Sequence, residues 1–365
     1  MAQALSFHYV IIVCVTLVGC SVGPEYQTPP PPNTNSYTRE PLPKKTVEIK
    51  GEEEKTQEFV VKEQISRQWW TLFESEKLSQ LIDRGLHNSP TLQAAQAALT
   101  QAEENLKAGI GGFFPSIDAQ IGASRQKESE ATFGLSAPPQ IFNLYNASIN
   151  VSYSPDIFGA LQHQVDALDA EVDHKRFELE AAYLTLTSNI VTTAIREASL
   201  RAQIQVTNNI TMSQEKQLNI LQSQLKLGGI SQSDVLAQET LVAQTRAMLP
   251  PLETSLAQTR HALATLIGDL PSEAHLPEFN LEDIHLPTEL PLTLPSSLIR
   301  QRPDIKAAEA LLHEANSEIG IAKANMFPQL TLTGSIGDIN DKYHNLFTSS
   351  SNVWSIASPI IAANL

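Results

Sequence analysis

Two cysteines, nine histidines and forty carboxylates give this chain material for thiol, imidazole and acid–base chemistry, but their spacing withholds most of it. The histidines are scattered without ligand spacing, and His313-Glu314 lacks the second histidine of a zinc-protease helix. Gly109-Ile110-Gly111-Gly112 resembles a phosphate loop in composition, yet it follows a helical stretch and precedes a strand, the wrong order for holding phosphate. It reads better as a helix-to-strand joint. Gly334-Ser335-Ile336-Gly337 is not a nucleophile elbow, and no carboxylate pair can be placed in a glycan-cleaving cleft. Arg300, Arg302 and Asp304 read as a salt-bridge and capping cluster. These residues predict no catalytic residue, no metal site, no cofactor and no enzyme. A net charge of −15 also argues against nucleic acid or an anionic membrane surface as a partner.

The exception is Cys20. An apolar run from Tyr9 to Val18, too short to span a bilayer, suits the core of a signal peptide and ends in Leu17-Val18-Gly19-Cys20. That approach is similar to the bacterial lipobox, where the chain is cut before a cysteine whose thiol then receives lipid. Residues 1–19 would leave with Cys14, and Cys20 would carry the anchor, so no thiol remains for a disulfide or a metal. Ser21 in the following position resembles an outer-membrane address.

The elements behind Cys20 begin with a proline-rich, then charged, tether over residues 20–67. Order is expected from Trp69-Trp70 and Phe73, with a short helix from Leu78 to His87. Ser89 and Pro90 then start a helix reaching about Gly109. The motif Pro90-Thr91-Leu92 to Phe114-Pro115 recurs 213 positions on, from Pro303-Asp304-Ile305 to Phe327-Pro328, so one helix-into-strand unit is used twice. Between Ala160 and Leu227 there is neither glycine nor proline, and Leu161, Val165, Leu168 and Val172 step by three and four. A helix of roughly 100 Å follows, of the kind found in coiled coils and tubular bundles. Gly228-Gly229 ends it, Ser231 with Asp234 starts the return arm, and Pro250-Pro251 must break that arm before Gly268.

Four segments alternate with period two. Ile117, Ala119, Ile121 and Ala123 alternate with Asp118, Gln120, Gly122 and Ser124, and Tyr145, Ala147, Ile149, Val151 and Tyr153 alternate with Asn146, Ser148, Asn150 and Ser152. In the second copy Leu330, Leu332 and Ile336 alternate with Thr331, Thr333 and Ser335, and a weaker run holds Trp354 and Ile356. The period fits transmembrane β-barrel strands, apolar to lipid and polar to a lumen, with Phe113, Phe114, Tyr145, Tyr153 and Trp354 as interfacial girdles. A soluble sheet with one wet face permits the same pattern. Four strands cannot close a barrel alone, so several chains would each contribute four.

With these segments in hand, the chain resembles the TolC-type outer membrane efflux proteins, in the OprM/NodT-like lipoprotein branch. The likeness rests on Cys20-Ser21-Val22-Gly23-Pro24-Glu25-Tyr26, Trp69-Trp70 with Phe73, and Gly228-Gly229-Ile230-Ser231-Gln232-Ser233-Asp234-Val235-Leu236. Leu249-Pro250-Pro251-Leu252-Glu253 and Leu298-Ile299-Arg300-Gln301-Arg302-Pro303-Asp304-Ile305 extend it. The resemblance implies a mainly α fold with a transmembrane β component: a long α-helical hairpin tunnel plus four β-strands per chain in a trimeric, 12-stranded barrel. It implies a homotrimer in outer-membrane lipid with a large periplasmic portion. Such a channel is a passive conduit for solutes delivered by an inner-membrane pump and a periplasmic adaptor (membrane fusion protein). Gly228, Gly229, Ile230 and Ser231 match the adaptor-docking turn, although a plain helical hairpin also needs glycine there.

The organisation expected is thus a signal peptide (1–19), tether (20–67), first helical segment (68–115), first barrel hairpin (116–155), long helical hairpin (156–268), linker (269–297), second-repeat helix (298–327), second barrel hairpin (328–359) and an end at 360–365. The resemblance implies a further helical hairpin after Pro359, so a truncated channel polypeptide is expected. The rival class is a lipid-anchored structural coiled-coil spacer without a pore.

Overall fold

The computed structural model describes residues 21–31, 38–40, 43–47, 56–61, 66–128, 139–292, 295–357 and 360–361. The expected cleavage point, Cys20 and residues 362–365 lie outside them. In chain order the elements are strand β1 (Glu58–Val61), helices α1 (Glu76–Asn88) and α2 (Pro90–Gly111), and strands β2 (Ser116–Glu128) and β3 (Gln140–Tyr153). Helices α3 (Ala160–Lys226), α4 (Gln232–Ala247) and α5 (Leu249–Leu266) follow, then strand β4 (Glu289–Leu292) and helices α6 (Pro295–Gln301) and α7 (Pro303–Ala324). Strands β5 (Gln329–Leu330), β6 (Leu332–Asn340), β7 (Asn352–Ala357) and β8 (Ile360–Ile361) complete the order.

The repeat is structural. Helices α2 and α7 both have 22 residues and both open on a proline, at the position whose missing N–H costs no hydrogen bond. Without an internal breaker, α3 runs 67 residues. The return arm breaks at Met248, which leaves Pro250 and Pro251 in the first turn of α5 where they can be accommodated. Helix bounds shift slightly: α1 starts at Glu76 and α2 runs on to Gly111.

The chain forms two compact units. In the unit of residues 30–98 and 176–306, α1, α3 and α5 bury Leu78, Ile82, Ile190, Leu263 and Ile267 together with Trp70 and Phe279. Phe279 belongs to the stretch expected to be a linker, which is therefore core. The charged tether is likewise partly built in, since β1 pairs in parallel with β4, Phe59 opposite Leu290. Its Phe-Val-Val run supplies the β-branched and aromatic side chains a short strand needs. Gly268 ends α5 at φ +78°, and a side chain there would collide with the backbone of Asn88.

Glu197 is fully buried in this unit. Its Oε1 accepts hydrogen bonds from Arg201 at 3.0 Å and from Arg260, and Arg260 also donates to the Leu276 carbonyl at 3.3 Å. One carboxylate thus ties α3 to α5 and to the segment before β4. Glu197→Ala takes the shared carboxylate from both guanidinium groups, leaving Arg201 its exposed partner Glu278 at 3.1 Å, and should cost about 3 kcal/mol, the usual loss when one member of a buried ion pair goes. Thermal unfolding followed by circular dichroism reads it; an unchanged midpoint would contradict that role.

The second unit holds residues 1–29, 99–175 and 307–365. Its sheet is four-stranded and antiparallel, in the order β2-β3-β6-β7. Beside it, Gly109 and Gly112 let α2 lie close on Leu168 and Leu161 of α3, so glycine receives the apolar stripe there.

Candidate lipid-facing sheet and hairpin tip

Register decides which side chains share a face of the sheet. Ile117, Val151, Gly334 and Ile356 form one row, Ala119, Ile149, Ile336 and Trp354 the next, and Ile121, Ala147, Asp338 and Asn352 a third. Residues between them turn the other way. There Asp118, Asn150, Ser335 and Ser355 form a row, followed by Gln120, Ser148, Gly337 and Val353. One face is greasy and the other mostly polar. The greasy face lies uncovered: Ile121 is 84% exposed, Ile356 83%, Trp354 71% and Ile117 70%.

Aromatic residues bound this face. Tyr153, opposite Leu332, lies at the end nearest the helices, where Phe113 is half-buried and Phe114 exposed in the turn before β2. Tyr145 marks the other end, edge-on to Tyr343 with ring centroids 6.3 Å apart. From Tyr145 to Tyr153 is about 26 Å along the strand, or about 20 Å at the usual barrel tilt, against an apolar band of about 25 Å. Trp354 stands between the two ends, in the row of Ile149 and Ile336.

At the turn of the long hairpin, Gly228 takes φ +77°. Its N–H donates to the Leu225 carbonyl, and that of Gly229 to the Gln224 carbonyl, each at 2.9 Å. These two hydrogen bonds close the last turn of α3 in the pattern glycine serves best. Leu227 is 87% exposed beside it. The return helix starts where the Asp234 carboxylate accepts from the Ser231 N–H at 3.0 Å and from its hydroxyl at 2.7 Å. These bonds hold the Asp234 carboxyl below its ordinary pKa, the hydroxyl contributing most. A depressed folded value means the stabilisation is complete above the unfolded pKa of about 3.9 and is lost as pH falls through the folded value. Amide protection over residues 231–236 should therefore drop on acidification below about pH 4 and lose that pH dependence in Asp234→Asn. Protection that is indifferent to pH in the native chain would contradict the cap.

Sequence reasoning missed how the segment after Cys20 is held. The Val22 N–H donates to the Phe158 carbonyl at 3.1 Å, Asn316 donates to the Pro24 carbonyl at 3.1 Å, and Tyr26 stacks on His313 at 4.3 Å. His163 fits against Gly23 and Gly320, its Nε2 3.1 Å from the Ser21 hydroxyl. The start of the tether is thus docked on α7 rather than free. The Arg302 guanidinium clasps Asp304 at 3.0 and 2.6 Å, as the sequence suggested, while Arg300 is exposed. Among the described residues no cluster of three or more His, Cys, Asp or Glu could hold a metal. No described helix is long and apolar enough to cross a membrane.

A sheet with one uncovered apolar face, joined to a long helical hairpin, is the fold of bacterial outer-membrane channels. The chain superposes on the channel OprN with a TM-score of 0.81 at 23% identity, covering 94% of this chain and 73% of that one. It superposes on CusC with a TM-score of 0.76 at 22% identity, covering 95% and 73%. The outer membrane efflux protein family profile matches residues 81–269 and 294–360, and the chain belongs to that family. Membership makes it an outer-membrane protein and not an enzyme. The pyoverdine export outer membrane protein OpmQ of Pseudomonas aeruginosa is 30% identical over 274 residues, 74% of this chain and 58% of OpmQ. The probable outer membrane lipoprotein SilC of Salmonella typhimurium is 27% identical over 351 residues, 94% of this chain and 70% of SilC. Against OpmQ of Pseudomonas putida the match spans 61% of the relative. The chain thus spans about three fifths of the length of either OpmQ.

Proposed function

We propose that this chain is the outer-membrane channel component of a tripartite export system. Three copies each contribute β2, β3, β6 and β7 to a 12-stranded barrel, and their helical hairpins form a periplasmic tunnel. The channel is a passive conduit, and an inner-membrane pump with a periplasmic adaptor delivers the solute. Lipid on Cys20 anchors the chain, Phe113, Phe114, Tyr145, Tyr153 and Trp354 meet the membrane interfaces and its core, and Gly228 to Ser231 present the turn that docks the adaptor.

One observation carries this reading. The register gathers Ile117, Ile121, Ile149, Val151, Ile336, Trp354 and Ile356 on a single uncovered face, and β2 and β7 leave the sheet with two open edges. A soluble spacer gains nothing by exposing such a face, which would drive aggregation in water. Edge-to-edge closure between copies satisfies the strand hydrogen bonds, and lipid accommodates the apolar side chains. Relatives are named for export of pyoverdine, toluene and cations, so no particular solute is assigned to this chain.

The test is membrane extraction followed by conductance. The protein should stay in outer-membrane vesicles through carbonate and high-salt washes, run as a heat-resistant trimer, and open water-filled pores in planar bilayers. Release by carbonate as a monomer without conductance would favour a tethered spacer instead.

A further inference from the structure

We propose that the outer end of the β2–β3 hairpin is a binding site for phosphorylated lipid headgroups, read by Arg125 and Lys127. The inference rests on the apolar sheet face being the lipid-facing one, with the end remote from the helices pointing outward. Strands β2, β3, β6 and β7 contain two cationic side chains in all, Arg125 and Lys127. Register places both on the greasy face, opposite Asn143 and Ile141, in the two rows just beyond the Ala123–Tyr145 row. They are therefore about 6.6 Å apart along one face of the strand. Both are exposed, and neither has an ion-pair partner among the described residues.

The acids of these strands are sorted differently. Asp118 and Glu128 alternate onto the polar face. Asp338 shares the greasy face, but in the Ile121 row and two strands away, about 16 Å from Arg125 by strand spacing and rise. That exceeds the screening length of about 8–10 Å at ordinary ionic strength. Two cations with no ion-pair partner among the described residues thus stand directly above the aromatic edge set by Tyr145 and Tyr343. At that level a lipid-embedded face leaves the hydrocarbon and meets headgroups. Arginine grips phosphate with two parallel hydrogen bonds, and lysine adds a point charge on a stem long enough to lie along the apolar surface. The chain as a whole is acidic, at −15 net, and would be repelled by an anionic bilayer surface. These two residues reverse the sign where contact occurs. A dissolved anion has no reason to seek a site continuous with a greasy face, so the ligand is a phosphate that carries acyl chains.

The test is a titration of the full chain in neutral detergent with bisphosphorylated lipid A, its dephosphorylated form and inorganic phosphate. Binding should favour the bisphosphorylated lipid, and the pair Arg125→Gln with Lys127→Gln should weaken it about 25-fold, fivefold per charge removed. Glu128→Gln, on the opposite face, should leave it unchanged. Equal affinity for the dephosphorylated lipid, an undiminished affinity in the double variant, or equally strong binding of inorganic phosphate would overturn the proposal. Probes at Ile121 and Ile149 in the same preparation separate the two readings. If they contact lipid while lipid A binding fails, only the headgroup site falls; if they do not, the lipid-facing sheet falls with it.

Discussion

Replacing Ile149 with lysine should abolish stable insertion, while the same change at Asn150, one residue on, should leave it nearly intact. Ile149 lies in the central apolar row, between Ala119 and Ile336, and is 48% exposed. A lysine on the lipid face near the bilayer midplane costs about 2–4 kcal/mol. In a trimer the charge is present three times, so the total approaches the net stability of an ordinary domain. Asn150 shares its row with Asp118 and Ser335 on the polar face, where an added ammonium remains hydrated. The measurement is the fraction of carbonate-resistant, heat-stable trimer in the membrane, expected to fall more than tenfold for Ile149→Lys alone. Equal loss in both variants would mean the two faces see the same surroundings.

Gly228→Val should uncouple export while sparing the barrel. The Gly228 backbone sits at φ +77°, and a Cβ there meets no atom within 4 Å, so the cost is conformational rather than steric crowding by neighbours. A β-branched residue at positive φ is a genuine outlier, penalised by roughly 1–2 kcal/mol or more. The turn would relax by breaking the closing bonds to Leu225 and Gln224 and displacing Leu227 and Ile230. Cellular export should drop at least tenfold with trimer yield unchanged, and Gly228→Asn, which tolerates the left-handed region, should restore most of it. Export at native levels in Gly228→Val would remove the tip from the docking assignment.

What the sequence revealed and what it concealed divides along local and non-local physics. The 67-residue helix, its glycine stop and the break before Pro250-Pro251 depend on residues within a turn or two of each other, and each was legible. Strand alternation was legible for the same reason. Pairing was not: nothing local to Ile149 says that Ile336 lies opposite it, and only that register turns four weak patterns into one greasy face. The β1–β4 pair joins two four-residue strands some 230 positions apart, one in a charged stretch and one in a proline-rich stretch. Phe279 was hidden likewise, because the prolines around it suggest a linker while its ring fills the core. Glu197 looks like any helical surface glutamate until α5 brings Arg260 to it. The stack of Tyr26 on His313 also couples distant residues, so the tether's docked start left no local signature.

The most direct measurement is a cysteine scan along β3 from Asn143 to Tyr153 in native membranes, reading each site with a lipid-soluble quencher and a water-soluble one. Tyr145, Ala147, Ile149, Val151 and Tyr153 should respond to the quencher in the acyl chains, and Asn146, Ser148, Asn150 and Ser152 to the aqueous one, in strict alternation. A strand in which neighbouring positions respond alike, or in which the odd-numbered sites are shielded from both quenchers, would contradict a sheet standing between hydrocarbon and a water-filled passage.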